Sequence, residues 1–283
     1  MKALKHWWFT GISPWVKLVF LVLLANGLPA LIILMTIPSR TETFFVWTIK
    51  PELNARLIAV MYSNAILLVA IGFLQKDWAH VRIIMVVITL FSILATLLTF
   101  FYLKPFLAHP WYHLTYWLTM YLILFFVAPY VFVTQERRYG GRLSVDIPLN
   151  GMTRLFTVVM MALSLLSGLA LLFRVDGVNQ WLPWTLPPLV AGLIGVLFVT
   201  HAAAYGWALW DGDWLRVRPM FWQAPVTTFL FLLLPLTHPD ALSPGASASL
   251  TWFHLGGGLV ILASLLVILS YRTAEQALAY DAR

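Results

Sequence analysis

Two short stretches of the chain carry the same polar residues at the same spacing. "KDWAHVRI", Lys76 to Ile83, and "GDWLRVRP", Gly212 to Pro219, both read Asp-Trp-x-x-Val-Arg, and both lie between long apolar runs. A carboxylate and a guanidinium five residues apart have two uses at such a place. Asp77 and Asp213 can cap the exposed N–H groups of a following helix and meet the positive end of its dipole, while Arg82 and Arg218 reach toward the headgroups. Alternatively, Lys76, Arg82, Arg216 and Arg218, with Asp77 and Asp213 alongside, could bind an anion such as a lipid phosphate.

A second polar set sits inside the apolar runs: Tyr62, Ser63, Asn64, Thr200, His201 and Tyr205, with His254 further on. Polar groups at such depth mark either a substrate path or hydrogen bonds between neighbouring helices. His201 and His254 also raise haem ligation. However, at 1.5 Å per residue they differ in depth by roughly 9 Å, awkward for two axial ligands of one upright haem. A neutral histidine bonded to a neighbouring helix is the simpler expectation, and no metal or cofactor is expected.

What must position these residues is a set of membrane helices. The chain is 61% hydrophobic and only 10% charged, with a mean hydropathy of +0.86, against about a quarter charged for soluble domains. A bilayer core about 30 Å thick is crossed by about 20 apolar residues. Eight such runs occur, at 16–37, 55–75, 81–103, 112–134, 155–174, 188–210, 217–236 and 249–271. The first is too long for a signal peptide and lacks its small-residue cleavage site, so it is expected to be a retained helix. Cysteine is absent, which removes disulfides, thiolate nucleophiles and thiolate metal sites from consideration.

The net charge of +7 is topological, not a nucleic-acid patch. With eight spans, thirteen of the eighteen Lys and Arg residues fall on the side of the two termini and five (Arg40, Lys50, Arg56, Lys104, Arg174) on the other. The excess marks the cytoplasmic side. Tryptophans sit near both boundaries, Trp7, Trp8, Trp15, Trp78, Trp210 and Trp214 inside and Trp47, Trp111, Trp181 and Trp184 outside, as expected of an interfacial belt.

The chain also matches itself. A constant offset of 136 pairs Asp77, Trp78, Val81 and Arg82 with Asp213, Trp214, Val217 and Arg218, Asn64 with Thr200, and Leu114-Thr115 with Leu250-Thr251. Trp47-Thr48 matches Trp184-Thr185 after a one-residue gap. The polar loop "ERRYGGRLSVDIPLNG" separates the copies, giving units at 1–139 and 154–283 joined by a linker at 140–153. The expected fold is all-α, a polytopic membrane protein of eight helices in two four-helix units of the same orientation, a parallel repeat. Helices are expected to approach through small residues such as Gly192, Gly195 and Gly206, with Gly256, Gly257 and Gly258 in the last span.

"TFFVWTIKPELNARLIAVMYSN", "DWAHVRI", "LPWTLPPLVAGLIGV" and "DWLRVRP" together resemble a family of uncharacterised bacterial integral membrane proteins found in actinobacteria and Chloroflexi. The resemblance implies the eight-helix fold and no particular activity. One departure is "FYLKPFLAHPWYH" after the third span, where relatives carry a His- and Asp-bearing segment.

No Asp or Glu lies within a predicted span, so the carboxylate relay of proton-coupled transport is missing. Phosphate-binding Gly-rich loops and Gly-x-Ser-x-Gly elbows are missing too. The resulting expectation is a non-enzymatic protein of the bacterial plasma membrane, an accessory or scaffold subunit or a lipid-associated protein. Its partners would be membrane lipids and other membrane subunits, with no nucleic acid. The alternatives are a small permease or channel with its path between the units, and a haem- or quinone-associated redox protein. A reporter fused after Arg283 is expected to be active only in its cytoplasmic-type form; activity of a periplasmic-type reporter there would reverse the orientation.

Overall fold

The computed structural model describes residues 11–141, 143 and 146–281; Lys2, Lys5, Trp7, Trp8, Arg142 and Arg283 lie outside them. The fold is all-α and polytopic. Eight helices are long and apolar enough to cross a membrane: α1 (Pro14–Thr36), α2 (Glu52–Leu74), α3 (Arg82–Phe101), α4 (Trp111–Tyr139), α5 (Gly151–Phe173), α6 (Pro188–Asp211), α7 (Trp214–Thr237) and α8 (Ser247–Leu269). A ninth, α9 (Arg272–Asp281), follows a turn at the end of α8.

Local chemistry sets several boundaries. Ser13 accepts a hydrogen bond from the Trp15 amide and Pro14 opens α1, Asn150 accepts from the Thr153 amide to open α5, and Pro188 occupies the first turn of α6. Prolines suit that place because the first helical N–H groups have no partner to lose. Gly212, at φ 71°, ends α6 in the left-handed region, where a Cβ is unfavourable. Asp213 begins α7 by accepting from the Arg216 amide at 3.0 Å. Several helices run beyond the apolar segments, α2 and α5 at their starts by three and four residues, and two of the extensions are polar turns. α4 continues to Tyr139 and α7 starts at Trp214, because these polar turns make contacts of their own.

The bundle is assembled across the two halves of the chain. α2 packs on α7 and α3 packs on α6, whereas the consecutive pairs α2–α3 and α6–α7 scarcely touch. Neither half therefore closes into an up-down bundle by itself. α1 and α4 flank α2 and α3, and α5 and α8 flank α6 and α7. The four inner helices are the most enclosed and the four flanking ones present most of their surface outward.

Burial of apolar surface gives helices in lipid little reason to associate, so close approach must supply the attraction. α5 and α6 meet backbone to backbone: a Cβ on Gly168 would lie 2.9 Å from the Gly195 carbonyl oxygen, and one on Gly195 would lie 2.9 Å from the Gly168 carbonyl oxygen. Gly192 accommodates Leu98 of α3. Gly257 accepts Leu232 of α7, whereas Gly256 and Gly258 face open space and Gly206 has only Met161 near it, so the glycines expected to serve contacts do so unequally.

The tryptophan belt is also divided. Trp15, Trp111, Trp181 and Trp210 are exposed, but Trp47, Trp78, Trp184 and Trp214 are buried. The four buried ones are those that match between the halves. Trp47 anchors an aromatic cluster with Phe45, Phe106 and Trp117, at centroid separations of 4.7, 5.2 and 5.3 Å.

Replacing Gly168 with Val should force α5 and α6 apart, at a cost of about 1–3 kcal/mol typical of overpacking. The melting temperature in mild detergent should fall by several degrees, while Gly256→Val should leave it unchanged.

Candidate functional site

The repeated Asp-Trp-x-x-Val-Arg turns sit at the arginine-rich end of the bundle, and each closes around a glutamate. In the first half the Trp78 indole donates to Glu136 at 2.8 Å. Arg82 meets the same carboxylate with two donors, Nε at 3.0 Å and Nη2 at 2.6 Å. In the second half the Trp214 indole donates to Glu275 at 2.8 Å, and Arg218 Nη1 donates to it at 3.0 Å. Glu136 comes from the polar extension of α4 and Glu275 from α9. An indole and a guanidinium thus clamp one carboxylate in each half, and the bidentate form of the first is the geometry that Arg favours over Lys.

Arg82 reaches further, donating from Nη1 to Asp211 of α6 at 3.0 Å. Asp211 also accepts from Arg216, whose Nη1 donates to Asp146 at 2.7 Å. These residues line an open hollow of about 420 Å³ together with Gly141, Leu143 and Trp210. Among the described residues two arginines and two aspartates line it, and each of Arg82, Arg216 and Arg218 already has a carboxylate partner. Their arrangement is an ion-pair lattice, not a positively charged cradle.

The two aspartates of the repeat part company. Asp213 caps α7 and also accepts from the Ile147 amide, which ties the linker to the turn, as does the Trp214 amide donating to the Ile147 carbonyl at 2.7 Å. Burial pushes the Asp213 carboxyl above its usual range, against the pull of those two amides. Asp77 makes no capping bond and its side chain is 63% exposed, with His80 Nδ1 at 3.9 Å. Capping by the repeated aspartate is therefore confined to the second half. Lys76 is exposed.

The polar residues inside the membrane gather in part. Asn64 of α2 and His201 of α6 approach at 3.4 Å, and His201 Nδ1 lies 2.8 Å from the Leu197 carbonyl. With its proton on Nδ1 the ring donates to that carbonyl and accepts from the Asn64 amide, so both nitrogens are used by the neutral form. Thr227 of α7 lies 3.1 Å from Asn64 Oδ1 and 3.0 Å from Gln223 Oε1. A hydroxyl has one proton, so it donates to one and the other contact is completed with the Gln223 amide turned over. The chain Gln223–Thr227–Asn64–His201 joins three helices from both halves.

Tyr205 and Thr200 do not extend it. Tyr205 packs its ring near Phe156 and Phe221, and Thr200 Oγ1 is buried with no hydrogen-bond partner among the described residues. Ser63 bonds its own helix at Val60. His254 places Nδ1 2.9 Å from the Leu250 carbonyl and Nε2 3.2 Å from the Leu232 carbonyl, so each ring nitrogen already has a neighbour.

The large space in the bundle lies elsewhere. A cavity of about 580 Å³ is enclosed chiefly by α1 to α4, with only Leu193 and Leu197 reaching it from the second half. Tyr62, Ala65, Phe91, Tyr116 and Tyr121 are among its walls, and Phe45 and Trp47 cover the end remote from the arginines. Asn64 belongs to this wall as well as to the hydrogen-bonded chain. Among the described residues no Asp, Glu, Lys or Arg lines it. The sequence places a possible path between α2 and α6, whereas the space is on the other side of α2, inside the first half.

Several participants escape the sequence reading. Glu136 and Glu275 are 139 residues apart, not 136, because the turn at Ser270–Tyr271 displaces the second. A fixed-offset comparison aligns Glu136 with Arg272 and misses the shared carboxylate. Gln223 and Thr227 have apolar counterparts, Val87 and Phe91, and so give no repeated signal. His109 and His113, spaced four apart, stack at 5.7 Å near the cavity mouth, and among the described residues no group of three or more His, Cys, Asp or Glu side chains is placed to hold a metal.

Comparison with protein-family models, curated proteins and solved structures found no match to this chain.

Removing one partner of a buried ion pair costs about 3–5 kcal/mol, because the other charge is left in the interior. Arg82 is 6% exposed, whereas the Arg218 and Glu275 side chains are 25% and 29% exposed. Glu136→Ala should therefore lower thermal stability in detergent clearly more than Glu275→Ala, with scanning fluorimetry of the two variants as the check.

Proposed function

We propose that this chain is a non-enzymatic, multi-pass protein of the bacterial plasma membrane, with both termini cytoplasmic, that binds a lipid-derived small molecule inside its first half. The observation that carries the reading is the cavity among α1 to α4. At about 580 Å³ it falls within the range of about 300–1,000 Å³ typical of small-molecule sites. Its lining is predominantly apolar, which suits a molecule drawn from the bilayer. Of the expectations set by the sequence, this keeps the lipid-associated one. A permease path through His201 would need that ring to meet water, and its nitrogens are taken by Asn64 and the Leu197 carbonyl.

We also propose that the halves are related copies of one four-helix unit, like those of the bacterial family that the motifs resemble. The pairing α2–α7 with α3–α6, and the two Trp–Glu–Arg clamps, support a two-fold relation along the membrane normal.

Ala65 is exposed and lines the cavity, so Ala65→Trp fills it without disturbing a packed contact. Native mass spectrometry of protein extracted in mild detergent should find a lipid-sized adduct on the wild type that the variant lacks. Equal adducts on both, or none on wild type re-exposed to total lipid extract, would overturn the reading.

A further inference from the structure

Within that cavity the structure assigns a class of ligand, an inference that rests on the reading above: a neutral amphipath whose hydrogen-bond-accepting oxygen meets the hydroxyl pair of Tyr62 and Tyr121.

Several polar groups on the wall are already occupied, while His113 Nδ1 is buried with no hydrogen-bond partner among the described residues. Ser92 Oγ donates to the Thr89 carbonyl at 3.0 Å, and the Trp117 indole to Thr99 at 2.9 Å. Asn64 is held by His201 and Thr227. Tyr62 of α2 and Tyr121 of α4 both line the cavity. Each hydroxyl carries one proton to donate to an acceptor oxygen brought into that space.

Depth and charge narrow the ligand further. Tyr62 and Tyr121 each lie ten residues from the start of their helices at Glu52 and Trp111. At 1.5 Å per residue that is about 15 Å, near the middle of a core about 30 Å thick. An ionised head there would be costly without a counter-charge, and no Asp, Glu, Lys or Arg among the described lining residues supplies one, the His113 imidazole lying eight residues nearer the start of α4. The ligand is therefore uncharged.

A way in is present at the flank. α1 and α4 touch little along their length, and Tyr116 of α4 donates to Asn26 Oδ1 of α1 across the gap. Both residues also line the cavity. That bond bridges the lipid-facing seam, the route by which a tail enters sideways once the bond opens.

The shared chemistry has two sources in a bacterial membrane, a lipid alcohol or a quinone. The test is tryptophan quenching in nanodiscs, since Trp47 and Trp117 line the cavity, with three probes: dibrominated stearyl alcohol, the corresponding sulfate, and decyl-ubiquinone. The alcohol or the quinone should half-saturate at a concentration at least about tenfold below the sulfate, and whichever is tighter identifies the source. Tyr62→Phe/Tyr121→Phe should raise the half-saturation of that neutral probe about threefold to tenfold, the effect of one hydrogen bond. Equal binding of the sulfate, or no change in the double variant, would overturn the neutral-oxygen assignment, while loss of all binding in Ala65→Trp would leave the cavity reading standing. Unchanged binding in Ala65→Trp would overturn both.

Discussion

Helices in a bilayer gain nothing from hiding apolar surface, because lipid tails are as apolar as leucine. Everything distinctive about this bundle follows from that constraint. Attraction has to come from close backbone approach, as between Gly168 and Gly195, or from polar groups that find each other away from water. Asn64, His201, Thr227 and Gln223 do the latter at the centre, where α2, α6 and α7 converge. The Trp–Glu–Arg clamps do it at one end. The polar chain joins α2 to α6 and α7, and Arg82 reaches Asp211 of α6, so these bonds tie the halves across the chain. The Gly168–Gly195 contact and the clamps hold helices within a half.

The two halves use the same plan to different ends. α5 and α6 are sealed by facing glycines, whereas on α1 the corresponding approach is blunted by Ile66 against Gly27 and by the ring of Tyr62 beyond it. Space withheld from packing in the first half becomes the cavity. The polar chain is likewise single: the positions of Gln223 and Thr227 are Val87 and Phe91 in the first half, and Phe91 is part of the cavity wall. The second half thus has hydrogen bonding where the first has an apolar lining.

The eight spans were legible to within a few residues, since a run of apolar residues long enough to cross a membrane has few other uses. The placement of the Asp-Trp-x-x-Val-Arg turns at helix junctions was legible too. Which helices pair was not, because in lipid an apolar side chain faces tails or a neighbour with equal ease, so no periodicity marks the contact face. The tryptophans show the same ambiguity. Trp78 and Trp214 look interfacial by position, yet their indole N–H groups find Glu136 and Glu275, and a ring whose one polar atom is satisfied can be buried. The cavity was invisible for a related reason: a void is defined by residues from four helices, none unusual alone.

Gly141 gives the first clamp a character of its own. A Cβ there would sit 1.6 Å from Arg82 Nη1, so a larger residue would push the guanidinium from its place. The Arg82 and Asp211 side chains are 7% and 2% exposed, and that of Glu136 29%. Exposed ion pairs weaken within a Debye length of about 8 Å at physiological salt, while enclosed ones are screened far less. The tie between the halves is thereby screened less by the surrounding solution than a surface pair in the same place would be.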